Sequence, residues 1–329
     1  MPLTTDIEKA KVFLVVDVAN LVWRAAMSPG PVAGFTNSQK YPTGYMFIAV
    51  AKIMAALQYY GLSKNLPTCL VLSAQENSDA RRKHYPGYKA GRTHKEYQSV
   101  EVTDAFGRLI DKTPNPIEDF MELMCCLPSV NLIMPDMWET DDAIASFVTQ
   151  TKKSNKTAIF YVLTNDRDDW ALMHKRVVIT SKPKAEFSIK DLETSFKITN
   201  PKLLPLAKTL FGDDSDKIKK VVHGLTESNI PHGFLDTVRP KKKQHAVDAF
   251  LERVAEHVRT DPKSSLKKAL GMSKELKATY KIAKLRRNLK LHIVRNQANR
   301  KKLQQLLSWY ELKSQSNNML NLASSFGRG

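Results

Sequence analysis

Cysteine is scarce. Cys69, Cys125 and Cys126 are the three in a chain of 329 residues, and no Cys-x-x-Cys occurs. That excludes a disulfide framework and a thiolate zinc site, and it suits buried, reduced thiols in an intracellular protein. His84, His94, His223 and His232 are scattered, without zinc-ligand spacing. Long apolar runs are also missing: none approaches the ~20 residues needed to span a bilayer. The first residues, Met1–Glu8, do not read as a signal peptide. Acid is what the last quarter lacks. Residues 239–329 hold 22 Lys/Arg against 6 Asp/Glu, whereas the first 238 hold 29 against 27. So uneven a charge fits a polyanion, and nucleic acid is favoured over a membrane because no lipidation motif is present. Aromatics are sparse in that region, Tyr280, Trp309 and Tyr310 among the few. Duplex-backbone contact is therefore expected there rather than base stacking on single strands.

What is present is an alternation of short apolar runs and helical patterns. Val12–Val16, Thr68–Leu72, Val130–Met134, Ala158–Leu163 and Val177–Thr180 read as strands. Tyr45–Tyr60 and Asp141–Thr151 read as helices, the second completing a βαβ unit between 130–134 and 158–163. The pattern predicts an α/β fold: a mostly parallel central sheet with helices on both faces. Residues 78–125 break the rhythm, being basic, aromatic and interrupted by Pro86, Gly87 and Gly91. They are expected to form a mobile insertion above the sheet. Helix resumes over 190–222, and Arg239–Lys243 reads as a boundary. Beyond it, 246–259 and 276–307 are expected as basic helices, with 314–329 a frayed end. The division expected is a core over 1–195, a helix-hairpin-like duplex-binding segment over 196–238, and a basic helical extension over 239–329.

Acidic residues fall at four separated places: Asp17; Glu139, Asp141 and Asp142; Asp166 and Asp168; and Asp213, Asp214 and Asp216. Each place follows a strand or opens a helix, and ligands of α/β sheets bind beyond the carboxyl ends of strands. Any one group has a plain structural explanation as a cap, an Asx turn or a solvated loop. All four together, in a basic protein, predict one site for hard divalent cations such as Mg²⁺ or Mn²⁺, which take oxygen ligands and act on phosphates. Lys89 and Arg92, three apart, would share a helical face.

Five motifs then appear in a recognisable order: Val15-Val-Asp-Val-Ala-Asn20, Tyr85-Pro-Gly-Tyr-Lys-Ala-Gly-Arg92, Glu139-Thr-Asp-Asp142, Thr164-Asn-Asp-Arg-Asp168 and Gly212-Asp-Asp-Ser-Asp-Lys-Ile218. In these the chain resembles the 5′-nuclease family, which includes flap endonucleases, bacteriophage 5′→3′ exonucleases and the 5′-nuclease domain of bacterial DNA polymerases. Its size looks most like a phage enzyme. The resemblance implies a PIN-like core with a helical arch, and two Mg²⁺ or Mn²⁺ ions driving phosphodiester hydrolysis. It implies that Asp17, Glu139 and Asp141, with Asp142 beside them, hold the cleavage-site ion. Asp166, Asp168, Asp213 and Asp216 would hold the second, with Asp166 shared. Lys89 and Arg92 would sit at the arch base and reach the scissile phosphate. Tyr88 would stack on a base or lie beside the threaded strand, and Arg81, Arg82 and Lys83 would line the same passage. Lys219 and Lys220 would contact duplex, with K⁺ nearby.

The implied substrate is DNA with 5′ ends, flaps or nicks, and RNA–DNA hybrids during replication. The implied state is a monomer in the cytoplasm, that of the host cell if phage-encoded. One family acid is missing: no Asp stands near Ala74 at the end of the second strand, where Ser73 and Glu76 are the available substitutes. A PIN-like ribonuclease and a non-catalytic junction binder are the alternatives. The arch segment and the Gly212–Ile218 motif weigh against the first.

Overall fold

Val12–Asp17 is apolar until its last residue, and it lies at the centre of the sheet because both of its faces are covered. The computed structural model describes residues 4, 6–74, 77–90, 96–127, 129–135, 138–242, 244–296 and 299–324. Glu76, Arg92 and Lys243 lie outside the described residues. The strands are β1 (Val12–Asp17), β2 (Thr68–Ser73), β3 (Val100–Thr103), β4 (Leu109–Lys112), β5 (Val130–Pro135), β6 (Ile159–Leu163), β7 (Val177–Thr180) and β8 (Leu291–Arg295). The helices are α1 (Val18–Ala26), α2 (Gly44–Tyr60), α3 (Asp79–Arg82), α4 (Pro116–Met124), α5 (Thr140–Ser154), α6 (Ile189–Phe196), α7 (Leu204–Phe211), α8 (Ala246–Thr260), α9 (Ser273–Ala283), α10 (Arg300–Trp309) and α11 (Lys313–Ser324).

The main sheet runs β7-β6-β1-β2-β5-β8. Every pairing is parallel except β5 with β8, which is antiparallel. Strand side chains alternate between faces. Phe13 and Val15 pack with α5, α7, α8 and α9 on one side. Val12, Leu14 and Val16 pack with α1, α2, α4, α10 and α11 on the other. The mostly parallel α/β architecture is thus as the sequence predicts, and the five expected strands are all present. β5, α5 and β6 do form a crossover, but β1 and β2 lie between its two strands.

Three expectations change. The stretch from Gly44 to Lys64 is long and apolar enough to cross a membrane by length and composition. Here Tyr45, Met46, Ala49, Val50, Ile53, Ala56 and Leu57 are buried against the sheet. Residues 276–307 are not one helix, because α9 ends at Ala283 and β8 intervenes. An exposed edge on β5 would leave a row of unpaired backbone groups, and β8 covers it. The described residues beyond 239 pack onto the core, and 314–324 lie in α11, while 325–329 lie outside the described residues. α8 and α9 cover one face, and α10 and α11 the other, with Met319 wholly buried. The described part of the 78–125 segment is the single turn α3, the β3–β4 hairpin and α4.

Candidate metal centre

Asp17 is both the last residue of β1 and the N-cap of α1, accepting from Asn20 N at 3.0 Å. Its second oxygen accepts from the Thr164 hydroxyl at 3.4 Å. Thr164 follows β6, the parallel neighbour of β1, so two strand ends meet here. Asn20 ties them further by accepting from Asn165 N at 3.1 Å. Capping is therefore real at Asp17, but it uses only one oxygen.

α5 brings the next acids. Asp141 and Asp142 are consecutive on a helix, so they point about 100° apart. Asp141 lines the cavity. Asp142 instead accepts from Arg81 at 2.9 Å and from Arg286 N at 2.7 Å. The Glu139 carboxylate does not cap α5. It accepts from the Tyr88 hydroxyl at 2.9 Å and from Lys89 Nζ at 2.6 Å, and it pairs with Arg81.

After β6, Asp166 Oδ1 accepts from Asp168 N at 2.9 Å, an Asx turn that opens the 3₁₀ helix Asp168–Leu172. After α7, Gly212 adopts φ +81°, and a Cβ there would lie 2.9 Å from the Ile218 carbonyl oxygen. Only glycine suits that position. The turn that follows is closed by reciprocal Asp213–Ile218 backbone bonds of 2.8 Å each, which set Asp213 and Asp216.

The result is a chain of carboxylates. Oxygens of Asp17, Asp141 and Asp169 lie within 4.8 Å of one another, as do those of Asp141, Asp166 and Asp168, and those of Asp168, Asp213 and Asp216. Asp141 and Asp168 link the groups. Six of the eight acids expected to bind metal are gathered in this way; Glu139 and Asp142 are held instead by cations and hydroxyls. Asp214 is exposed. Asp17, Asp141 and Asp166, with Glu139 and Lys89, line a cavity of about 630 Å³ whose rim carries Arg24, Asn77, Asp79 and Arg82.

Electrostatics separate the groups. Burial, and then the charge of Asp166, push Asp141 up to about 7, against the opposing pull of Lys89 and Arg81. Burial, and then the charges of Asp141, Asp17 and Asp166, push Asp169 well above the carboxylate range. Asp213 goes the other way: burial is the largest single influence and would raise it, but the charge and hydrogen bond of Lys208, with the bonds from Ser215, together hold it below the ordinary carboxylate value. Lys208 is itself buried, paired with Asp168 and, at 2.5 Å, with Asp213.

Two residues of this centre escaped the sequence reading, Asp169 and Lys208. Asp169 adjoins a motif and could have been found there; Lys208 sits on α7 with no local signal. The basic motif also differs from expectation. Arg81 and Tyr88 are buried, at 4% and 1% exposure, so neither faces a nucleic acid strand. Arg81 instead joins Glu139 to Asp142, and Tyr88 supports Glu139. Residues Pro86–Ala90 are turns rather than helix, with Lys89 at φ +51°. Lys89 N donates to the Asp216 carbonyl at 3.1 Å. Arg82, Lys83, Lys219 and Lys220 are exposed.

The fold and this cavity define an α/β protein of the PIN type, with an acidic centre at the carboxyl ends of adjacent parallel strands. Residues 12–197 match the 5′-3′ exonuclease, N-terminal resolvase-like domain, and the chain belongs to that family. Two solved structures share its fold. One is a mutant T5 5′-exonuclease, with TM-score 0.51 and 12% identity, covering 95% of this chain and 99% of that one. The other is the bacteriophage T5 flap endonuclease in a pseudo-enzyme-product complex with DNA and metal ions, with TM-score 0.51, 13% identity and the same coverage. No curated protein sequence matches the chain.

Proposed function

We propose that this protein is a divalent-metal-dependent 5′-nuclease that hydrolyses phosphodiester bonds at the 5′ ends or flaps of DNA. One observation carries the reading: in a member of the 5′-3′ exonuclease family, carboxylates from four distant segments converge in one linked chain, whose Asp17, Asp141 and Asp166 line the cavity. The donors fit the group. All are hard carboxylate oxygens, which suit Mg²⁺ or Mn²⁺, and buried Asp169 has two oxygens that accept no hydrogen bond. Asp17, Asp141 and Asp166 would hold one ion. Asp168, Asp213 and Asp216 would hold another beside Lys208. Ions bound there would supply positive charge for the phosphate and acidity for the attacking water.

The chain's own residues do the rest. Lys89 places a cation in the cavity wall, where it can steady charge developing on phosphate oxygens. Glu139 holds that ammonium, and Tyr88 and Arg81 hold Glu139. Arg24 and Arg82 at the rim would draw in the phosphate backbone. Exposed Lys83, Lys219 and Lys220 would extend that contact along a duplex. The same reading takes Mg²⁺ or Mn²⁺ as the ions and K⁺ near the 212–220 turn. It also takes RNA–DNA hybrids as further substrates, and a monomer acting in the cytoplasm of a host cell.

The test is digestion of an end-labelled flap, a nicked duplex and an RNA–DNA hybrid with Mg²⁺, Mn²⁺ or EDTA. Metal-dependent cleavage near 5′ ends is expected, together with its loss in Asp141→Asn while DNA binding persists. Equal cleavage in EDTA, or by that variant, would reject the reading.

A further inference from the structure

We propose that Asp169 is a direct ligand of the divalent cation held by Asp17 and Asp141, standing in for an acid that the end of β2 does not carry. This rests on the metal-dependent reading above. Asp169 is fully buried, and neither carboxylate oxygen accepts a hydrogen bond. Its oxygen lies within 4.8 Å of oxygens of both Asp17 and Asp141. The Thr164 hydroxyl also lies close enough to act on Asp169, but its bond goes to Asp17 at 3.4 Å. Buried carboxylates are kept by proteins when they are paired, hydrogen-bonded or coordinating a metal. Among the described residues Asp169 has no ion pair and only the Thr164 hydroxyl near it, too little to balance a buried charge, which points to the third.

Backbone geometry explains how Asp169 reaches this place. Asp168 and Asp169 open a 3₁₀ helix, where consecutive side chains diverge by about 120°. Asp168 therefore turns to Lys208 and Asp213, while Asp169 turns under Asp17 and Asp141. One turn serves both ends of the carboxylate chain.

The sheet explains why the position is useful. β1 has two parallel neighbours, β2 and β6. On the β2 side, Asp17 stands in register with Ser73, and Ala74 follows. The Ser73 hydroxyl is buried and has no hydrogen-bond partner. It offers a neutral oxygen where a carboxylate would balance a divalent charge. Asp169 restores that carboxylate from the β6 side, so the ligand has changed strand while the cation position beside Asp17 is kept.

The competing explanation is a protonated acid with a purely structural role. It would behave the same when replaced by its neutral isostere, so Asp169→Asn separates the two. Mn²⁺ is titrated calorimetrically into the full-length wild type and into Asp169→Asn, with folding checked by circular dichroism. The variant is expected to lose at least about tenfold in affinity for the tighter Mn²⁺ site, a loss typical of damage to a ligand set. In wild-type crystals soaked with Mn²⁺, anomalous density is expected about 2.1 Å from an Asp169 oxygen. Should Asp169→Asn fail to fold, that map alone decides. Coincident titrations, or a Mn²⁺ peak bonded to Asp17 and Asp141 but not Asp169, would overturn the assignment. A wild type that takes up no Mn²⁺ would overturn it together with the nuclease reading, a distinct result.

Discussion

Lys208 Nζ lies 2.5 Å from Asp213 Oδ2, with the ammonium buried among the acids of the second carboxylate group. It also pairs with Asp168. Part of that group's negative charge is thus already matched from within the chain. Removing one partner from a buried pair strands the other's charge, typically at a cost of about 3–5 kcal/mol. Lys208→Met should lose about that much in urea unfolding with EDTA. Millimolar Mg²⁺ should recover part of the loss, because a bound cation replaces the ammonium. Equal losses with and without Mg²⁺ would show that no cation enters there.

Arg81 and Arg82 adjoin in sequence but should behave oppositely. Arg81 is buried between Glu139 and Asp142, while Arg82 is exposed at the cavity rim. Arg81→Gln should lower stability by several kcal/mol, about 3–5 by the same reasoning, and leave the salt slope of DNA binding unchanged. Arg82→Gln should leave stability alone and reduce that slope by about 1, as expected for one lost phosphate contact. Anisotropy titrations at several salt concentrations, with Ca²⁺ in place of Mg²⁺, check both.

Stability without metal should fall as pH rises towards neutrality. Burial and Asp166 raise Asp141 from 3.8 to about 7. A carboxyl raised on folding costs nothing while both states are protonated, below the unfolded value. Its penalty grows as pH passes from about 4 to about 7, and is then complete. Asp169 is raised too and adds in the same direction. Urea midpoints in EDTA should therefore drop between about pH 4 and about pH 7. Asp141→Asn should flatten the drop. A wild-type slope unchanged in that variant would contradict the assignment.

Truncation after residue 290 should damage the core rather than trim a tail. It removes β8 from the edge of β5, and it removes α10 and α11 from one face of the sheet. An uncovered parallel edge is a template for association. The truncated chain should elute as aggregate in size-exclusion chromatography. A monomeric, folded fragment would show that β8 is dispensable.

The strands were legible because unbroken apolar runs such as Val12–Val16 leave a buried parallel strand as their simplest outcome. The acids were legible as strand-end residues, since capping alone does not call for four such groups. β8 was not legible: it is five residues long, set in a strongly basic stretch that otherwise reads as helix. Its pairing depends on an edge more than a hundred residues away. Arg81 read as a cation lining the strand passage because nothing near it in sequence reveals that Glu139 and Asp142 approach it.

The amino-acid order alone determined the sheet-forming runs, the charge asymmetry and which side chains could bind a hard cation. These follow from local periodicity and residue chemistry. Only the tertiary structure decided which acids meet. It turned Asp141 and Asp169 inward, gave Asp142 and Glu139 to Arg81, and buried Lys208 beside Asp213. Those choices depend on how α5, α7 and the turn after β6 pack around β1, and contacts of such long range are set by the whole core.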